Sequence, residues 1–400
     1  MHHTMRIAAA VAGLAGLALV ATACAGTTGA PAGADTSPTG TATTTEGRVA
    51  VSYAGGIAVL DGETLEVVDE LATEEFTRLN AFGDGKTIAV TTSAGFQMLD
   101  TTAPALTDVV FDATAAGHVV THHGRTVLFD DGSGTTTILD TDAFAQGYGV
   151  APETSTYTAA SPHHGVSIVL EDGTLLTTVG TAEGRSGAVA LEPHDDHYHD
   201  LASSDQCPGI HGEGTAEGEA VIFGCENGAL LYSDGTFTKF TAPDAYGRMG
   251  NAYVSETSPV VVGDYKNDPD AEGYLLNAVT LIDTAAKTYR VVTLPPNVQY
   301  TFRDIARGPG DLAYILATDG QVHVLDPASG EIAASHPVIG AWTGPVQWQD
   351  PHPAIKVNGD RAYVTEPATN SVHAVDLTTG EVVASVVLPH TPNELAVALG

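Results

Sequence analysis

One repeated unit dominates the chain from Gly47 onward: a short strand, a Gly-containing turn, a β-branched strand, a second turn, and a third strand ending at Asp. It is plain in Gly85-Lys-Thr-Ile-Ala-Val…Phe-Gln-Met-Leu-Asp100, in Gly124-Arg-Thr-Val-Leu-Phe…Thr-Ile-Leu-Asp140 and in Gly359-Asp-Arg-Ala-Tyr-Val…Val-His-Ala-Val-Asp376. The first copy, Gly47 to Asp61, lacks its opening strand, and the final Asn393-Glu-Leu-Ala-Val-Ala-Leu is an opening strand with nothing after it. Such a chain closes a ring by pairing its two ends inside one sheet, which removes both free edges. The residues just ahead of each opening strand are Arg78, His118, His164, His211, Asn251, Asp304, His352 and Asn393, spaced 40 to 53 residues apart. That is near the period of a propeller blade. The fold class is therefore all-β, a single β-propeller over 47–400. Eight blades are expected, with seven the alternative because the Asn251 unit lacks the turn glycine.

Composition narrows the partners. The 400 residues carry 49 acidic and 15 basic side chains, a formal net charge of −34. That field repels phosphate backbones and anionic membrane surfaces, so nucleic acid is excluded as a partner. Apolar residues make up 43% of the chain, enough for a folded core. No segment beyond the N-terminus is apolar for long enough to cross a bilayer. A monomer is expected.

The N-terminus reads as an address. Met5-Arg6 and the apolar run Ile7 to Val20 have the form of a signal peptide, placed at 1–23. Ala21-Thr22-Ala23-Cys24 resembles a lipobox, with Cys24 as the lipidated residue of an exported, cell-surface or periplasmic lipoprotein; the alternative is plain secretion with cleavage near Ala23. Residues 24–46 are mainly Gly, Ala, Pro, Ser and Thr, a flexible tether. Cys207 and Cys225 remain, and in an oxidising compartment they are expected to form a disulfide.

The 16 histidines are unevenly placed. In a propeller the opening strand of each blade lines the central channel. Four of the eight positions that lead into it are His118, His164, His211 and His352, and a fifth is Asp304. Each lies six to nine residues ahead of its turn glycine, so all should stand at similar height. Neutral imidazoles and a carboxylate meeting at one channel mouth suit zinc, so His118, His164, His211, His352, His163 and Asp304 are the expected metal residues. A second, weaker collecting group is expected from His122, His123 and the segment 194–200, where His194, His197 and His199 alternate with Asp195, Asp196 and Asp200 in a flexible loop. Below about pH 6, protons should compete with metal for such imidazoles.

Several of these stretches resemble one family. They are Gly117-His-Val-Val-Thr-His-His-Gly-Arg-Thr-Val-Leu-Phe-Asp-Asp131, Pro162-His-His-Gly-Val-Ser, Cys207-Pro-Gly-Ile-His-Gly-Glu213 with Phe223-Gly-Cys225-Glu-Asn-Gly, and Pro351-His352. Together they resemble the AztD family of bacterial zinc metallochaperones. The resemblance implies an extracytoplasmic β-propeller that binds zinc and hands it to the solute-binding protein of a zinc ABC importer. Family members often carry an Asp/His-rich segment near the mature N-terminus. The tether here has no His, so the 194–200 segment would have to substitute. The individual ligands above come from the repeat register, not from the family.

The function expected is thus binding, not catalysis. Quinoprotein propellers need repeated Trp and adjacent cysteines, whereas only Trp342 and Trp348 occur here, and no Cys-x-x-Cys-His haem site is present. A multi-His copper cluster calls for more axial histidines. The rival readings are a metal-dependent hydrolase or lactonase on the same scaffold, and a propeller adaptor that binds only protein.

Overall fold

The computed structural model describes residues 47–195, 197–271 and 273–398. The signal peptide, the tether, Cys24 and Asp196 lie outside the described residues. Eight antiparallel sheets, each of at least four strands, follow one another along the chain as eight blades. Blade one is completed from both ends: Leu395–Ala398 is its innermost strand, paired with Arg48–Tyr53 in the register Arg48↔Ala398 to Val51↔Leu395. Among the described residues, neither the first nor the last strand is therefore left unpaired. The blade after Asn251 opens with only Ala252–Tyr253, which is why its repeat signal is faint.

Burial follows position within a blade. The second and third strands are sandwiched between neighbouring sheets, so runs such as Val49-Ala50-Val51 and Ile57-Ala58-Val59-Leu60 are sealed on both faces. These runs read as continuous β-branched and apolar stretches. Outermost strands instead alternate, as in Glu331–Pro337, where every second residue is exposed. The core is a ring of interfaces, not one centre: Val51 and Leu395 of blade one pack with Tyr363 and Val372 of blade eight, while Ala50 and Ile57 pack with Ile88 and Val90 of blade two.

The recurrent Asp has a local cause. The side chain of Asp61 accepts hydrogen bonds from the Glu63 and Thr64 amides at 3.1 and 3.0 Å. Asp100, Asp326 and Asp376 accept from the amide two residues on, at 2.8, 2.9 and 2.8 Å. Each carboxylate closes the turn that launches the outermost strand. Cys207 and Cys225 form a disulfide, fully buried in the core cluster that also holds Phe223 and Ile210. It ties the connection entering blade five to that blade's second strand, four residues before His211.

Candidate metal centre

His118 lies within the opening strand Ala116–His122 of blade three, His164 three residues ahead of Ser167–Val169 of blade four, and His211 at the start of His211–Ala216 of blade five. Three successive blades thus deliver one imidazole each to the upper face of the ring, where the inner strands begin. The ring centroids are 5.0 Å apart in all three pairings, and one ligand atom from each lies within 4.8 Å of the others.

The tautomers follow from what each ring touches. His118 Nδ1 donates to the Gly165 carbonyl at 2.8 Å, and His211 Nδ1 donates to the Gly250 carbonyl at 2.5 Å. His164 Nδ1 donates to the Asp131 carboxylate at 2.5 Å. Carbonyl and carboxylate oxygens only accept, so each Nδ1 carries a proton and Nε2 is the atom each ring can offer to a metal. His211 Nε2 and His164 Nε2 stand 3.0 Å apart, close to the ~3.3 Å expected of two tetrahedral ligands with bonds of about 2.0–2.1 Å. Converging lone pairs, each oriented by an outer hydrogen bond, are the donor arrangement of a metal-binding imidazole set.

Two glycines make room for the supports. A Cβ on Gly117 would lie 2.4 Å from Asp131 Oδ1, and one on Gly212, whose φ is +62°, would lie 2.3 Å from the Gly250 carbonyl oxygen. Asp131 also accepts from the Gly165 amide at 3.2 Å, which fixes the carboxylate between His164 and the backbone that supports His118.

Burial sets the charge. His118 is held well below the usual imidazole range, first by desolvation and then by the neighbouring His211 and His164. His211 is pushed down to about 3, first by desolvation and then by the neighbouring His164, Arg248 and Arg185, although its bond to Gly250 opposes the shift. Both shifts favour the neutral form of these rings, the form that can coordinate a metal. Beside them Glu213, two residues past His211, is pushed up to about 8 by burial.

The remaining residues expected at this mouth are placed elsewhere. His163 precedes His164 by one residue, so alternation sends it into the blade, where Nδ1 bonds the Ser161 carbonyl at 2.9 Å and Nε2 meets Thr178 Oγ1 at 3.0 Å. Asp304 is fully buried ahead of Ile305–Arg307, its Oδ2 accepting from the Thr301 amide at 2.5 Å. His352 is 2% exposed and donates from Nδ1 to the Asp350 carbonyl at 2.7 Å. Equivalent sequence positions on distant blades do not meet because an eight-bladed ring is wider than two side chains can span. That half of the ring holds its own charges: Arg303 pairs with Glu394 at 2.7 Å and with Asn393 at 2.7 Å, and Arg78 lies 3.7 Å from Glu394.

The expected collecting histidines fall into two separate clusters. His122 Nε2 meets Glu219 at 2.8 Å and His123 Nε2 meets Glu171 at 3.3 Å, in the turns where the inner strands of blades three, four and five end. His194, His197 and His199 form a separate group, and the segment expected as a loop is a regular hairpin of Arg185–His194 with His197–Ser204. Sequence reasoning missed Asp131, Glu171 and Glu219, which stand one to several residues beyond the strand ends that the repeat marks.

This fold has known counterparts. A zinc chaperone, AztD of Citrobacter koseri, is 23% identical over 281 residues, 70% of this chain and 65% of that protein. The structure of apo AztD from the same organism superposes with a TM-score of 0.71 at 20% identity, covering 88% of this chain and 98% of that one. The fold is a β-propeller similar to that of AztD. The expected resemblance to AztD and the eight-bladed expectation are both borne out. A second AztD structure gives a TM-score of 0.68 with 87% and 96% coverage at 20% identity. A dihydro-haem d1 dehydrogenase shares the fold more distantly, with a TM-score of 0.60, 11% identity, and 88% and 75% coverage. No family model matches the chain.

Proposed function

We propose that this protein is an extracytoplasmic zinc metallochaperone that carries its ion at His118, His164 and His211 and delivers it to the solute-binding protein of a zinc ABC importer. The observation that carries the reading is the set of three imidazoles whose ligand atoms lie within 4.8 Å of one another, each held through Nδ1. Similarity to a zinc chaperone supports both the metal and the role. Export is supported by the buried disulfide, which fits an oxidising compartment. Attachment through a lipidated Cys24 is part of the same proposal. His164 is exposed on the open side of the triad, which suits hand-over by ligand exchange to a docked partner.

A three-histidine site with an open fourth position is also the arrangement of catalytic zinc, so hydrolysis is the second reading. One experiment separates them. Metal-stripped protein and a His118→Ala/His164→Ala/His211→Ala variant are titrated with zinc against a competing chelator. The loaded protein is then mixed with the importer's solute-binding protein and, separately, with lactone and phosphoester substrates. Tight binding lost in the variant, with transfer faster than spontaneous dissociation, supports the chaperone. Binding no tighter than micromolar, or unchanged in the variant, overturns it. Turnover without transfer favours the hydrolase.

A further inference from the structure

The hairpin of blade four carries a second histidine triad that the channel site does not use. His194 and His197 are directly opposed across the hairpin, and His199 faces Glu192. Opposed residues share a face, as do residues two apart on one strand. His194 and Glu192 on one strand, and His197 and His199 on the other, therefore form a two-by-two grid on a single face. The ligand atoms of the three imidazoles lie within 4.8 Å of one another, and His197 Nε2 stands 3.0 Å from His199 Nε2.

The opposite face pins this grid in place. Tyr198, between the two histidines, packs edge-on against Tyr157 of blade three at 5.2 Å and belongs to the cluster of Val127, Ile138, Leu175 and Leu191. Pro193 lies against the turn at Gly173, where a Cβ would be 3.8 Å from its ring. The neighbours of the histidines thus anchor the hairpin, while the histidines themselves are exposed.

Strand direction separates the two triads. Blade four runs outward as four alternating strands from its innermost, Ser167–Val169. The turn between its third and fourth strands therefore lies on the lower face, with Glu171 and Gly173, opposite the end where His164 sits. Seven residues separate His164 from Glu171, roughly 20 Å at strand rise. No ion can bridge that distance.

We propose that His194, His197 and His199 form an independent binding site for a divalent transition-metal ion, with Glu192 or water completing the shell, on the face of the ring opposite the channel triad. Three imidazoles with a carboxylate or water suit zinc and its neighbours. Solvent exposure makes it a rapidly exchanging site that collects metal from the medium. The proposal stands whether or not the channel triad is the chaperone's cargo site.

The test uses the full chain with the channel removed, His118→Ala/His164→Ala/His211→Ala. Zinc is titrated by competition and cobalt(II) by visible absorption, in this background and after adding His197→Ala/His199→Ala. Retention of about one equivalent in the background, with a tetrahedral cobalt band, and a loss of roughly 100-fold or more in affinity on adding the hairpin changes, are expected. Unchanged thermal melting on adding the hairpin changes, with Tyr198 kept, shows that such a loss is not misfolding. If the background binds no zinc, or binds it equally well without His197 and His199, the site does not exist as proposed. Because the channel histidines are absent throughout, neither outcome bears on the chaperone reading.

Discussion

At the residue scale, the proposed channel site would depend on groups outside its three ligands. Asp131 accepts from His164 Nδ1 at 2.5 Å, so it fixes both the tautomer and the ring plane. Replacing it with Asn keeps an acceptor but removes the charge, and Ala removes both. Zinc affinity at the channel should fall about 10–100-fold for Asp131→Ala and less for Asp131→Asn; equal affinity for all three proteins in a chelator competition would sink the orienting role. Asp304 gives a second prediction. Its carboxyl is pushed up to about 8, first by burial, while its bonds to Thr301 and the charge of Arg303 pull the other way. The unfolded chain releases that proton near pH 4, so between about pH 4 and 8 the unfolded state binds fewer protons than the native state. Stability is then greatest below pH 4 as far as this group is concerned and declines as pH rises through 8. Each pH unit of that window costs at most about 1.4 kcal/mol. Asp304→Asn should flatten the decline, which urea unfolding at pH 5, 6, 7 and 8 would read as a shallower slope than wild type; identical slopes would show that Asp304 titrates normally.

Elements show what a repeat does and does not reveal. The Gly-turn and Asp-end pattern exposes the blades because each mark has a local cause: a backbone turn, or a carboxylate capping the amides after it. Closure by the terminal strands was equally legible, since the missing first strand and the surplus last one complement each other. Register along the channel was not. The repeat aligns His352 and Asp304 with His118, yet both sit in the turns ahead of their strands, bonded to Asp350 and Thr301, and the pattern holds no information on how far apart blades lie across the ring. The paired-strand geometry of 185–204 was hidden behind its acidic charge; the signal that would have found it is the two-residue gap in His194-Asp-Asp-His197, flanked by the alternating Tyr198. The disulfide is an element-scale device as well. It closes a loop with a sequence separation of 18, worth about 3 kcal/mol in the chain-entropy model. Cys207→Ser/Cys225→Ser should lose about that much stability in urea and should weaken zinc binding, because the cross-link holds the connection leading to His211. If zinc affinity is intact at temperatures where the variant remains folded, the link supports the blade alone.

At the scale of the molecule, the net charge of −34 and the two histidine triads act over different distances. Imidazole nitrogens recognise an ion only at bonding distance, whereas the summed carboxylate field extends about 30 Å at 10 mM salt and about 8 Å at 150 mM. Near the channel the field is locally offset by Arg78 and Arg303 around Glu394. The attraction of cations is therefore a property of the whole surface, not of the mouth itself. Such a field accelerates encounter more than it strengthens the bound state. Stopped-flow zinc binding should then show an association rate that falls about tenfold as salt rises from 10 to 150 mM. The dissociation rate, set by three imidazole bonds, should change little. The salt must be one that does not bind zinc, or the free ion concentration would change with it. The hairpin triad, on the opposite face of the same acidic ring, should share that dependence of association on salt. An association rate indifferent to salt would mean that capture is limited by ligand rearrangement at the site. Equal effects of salt on both rates would mean that salt alters the site itself, and the acidic surface would then serve solubility rather than metal capture.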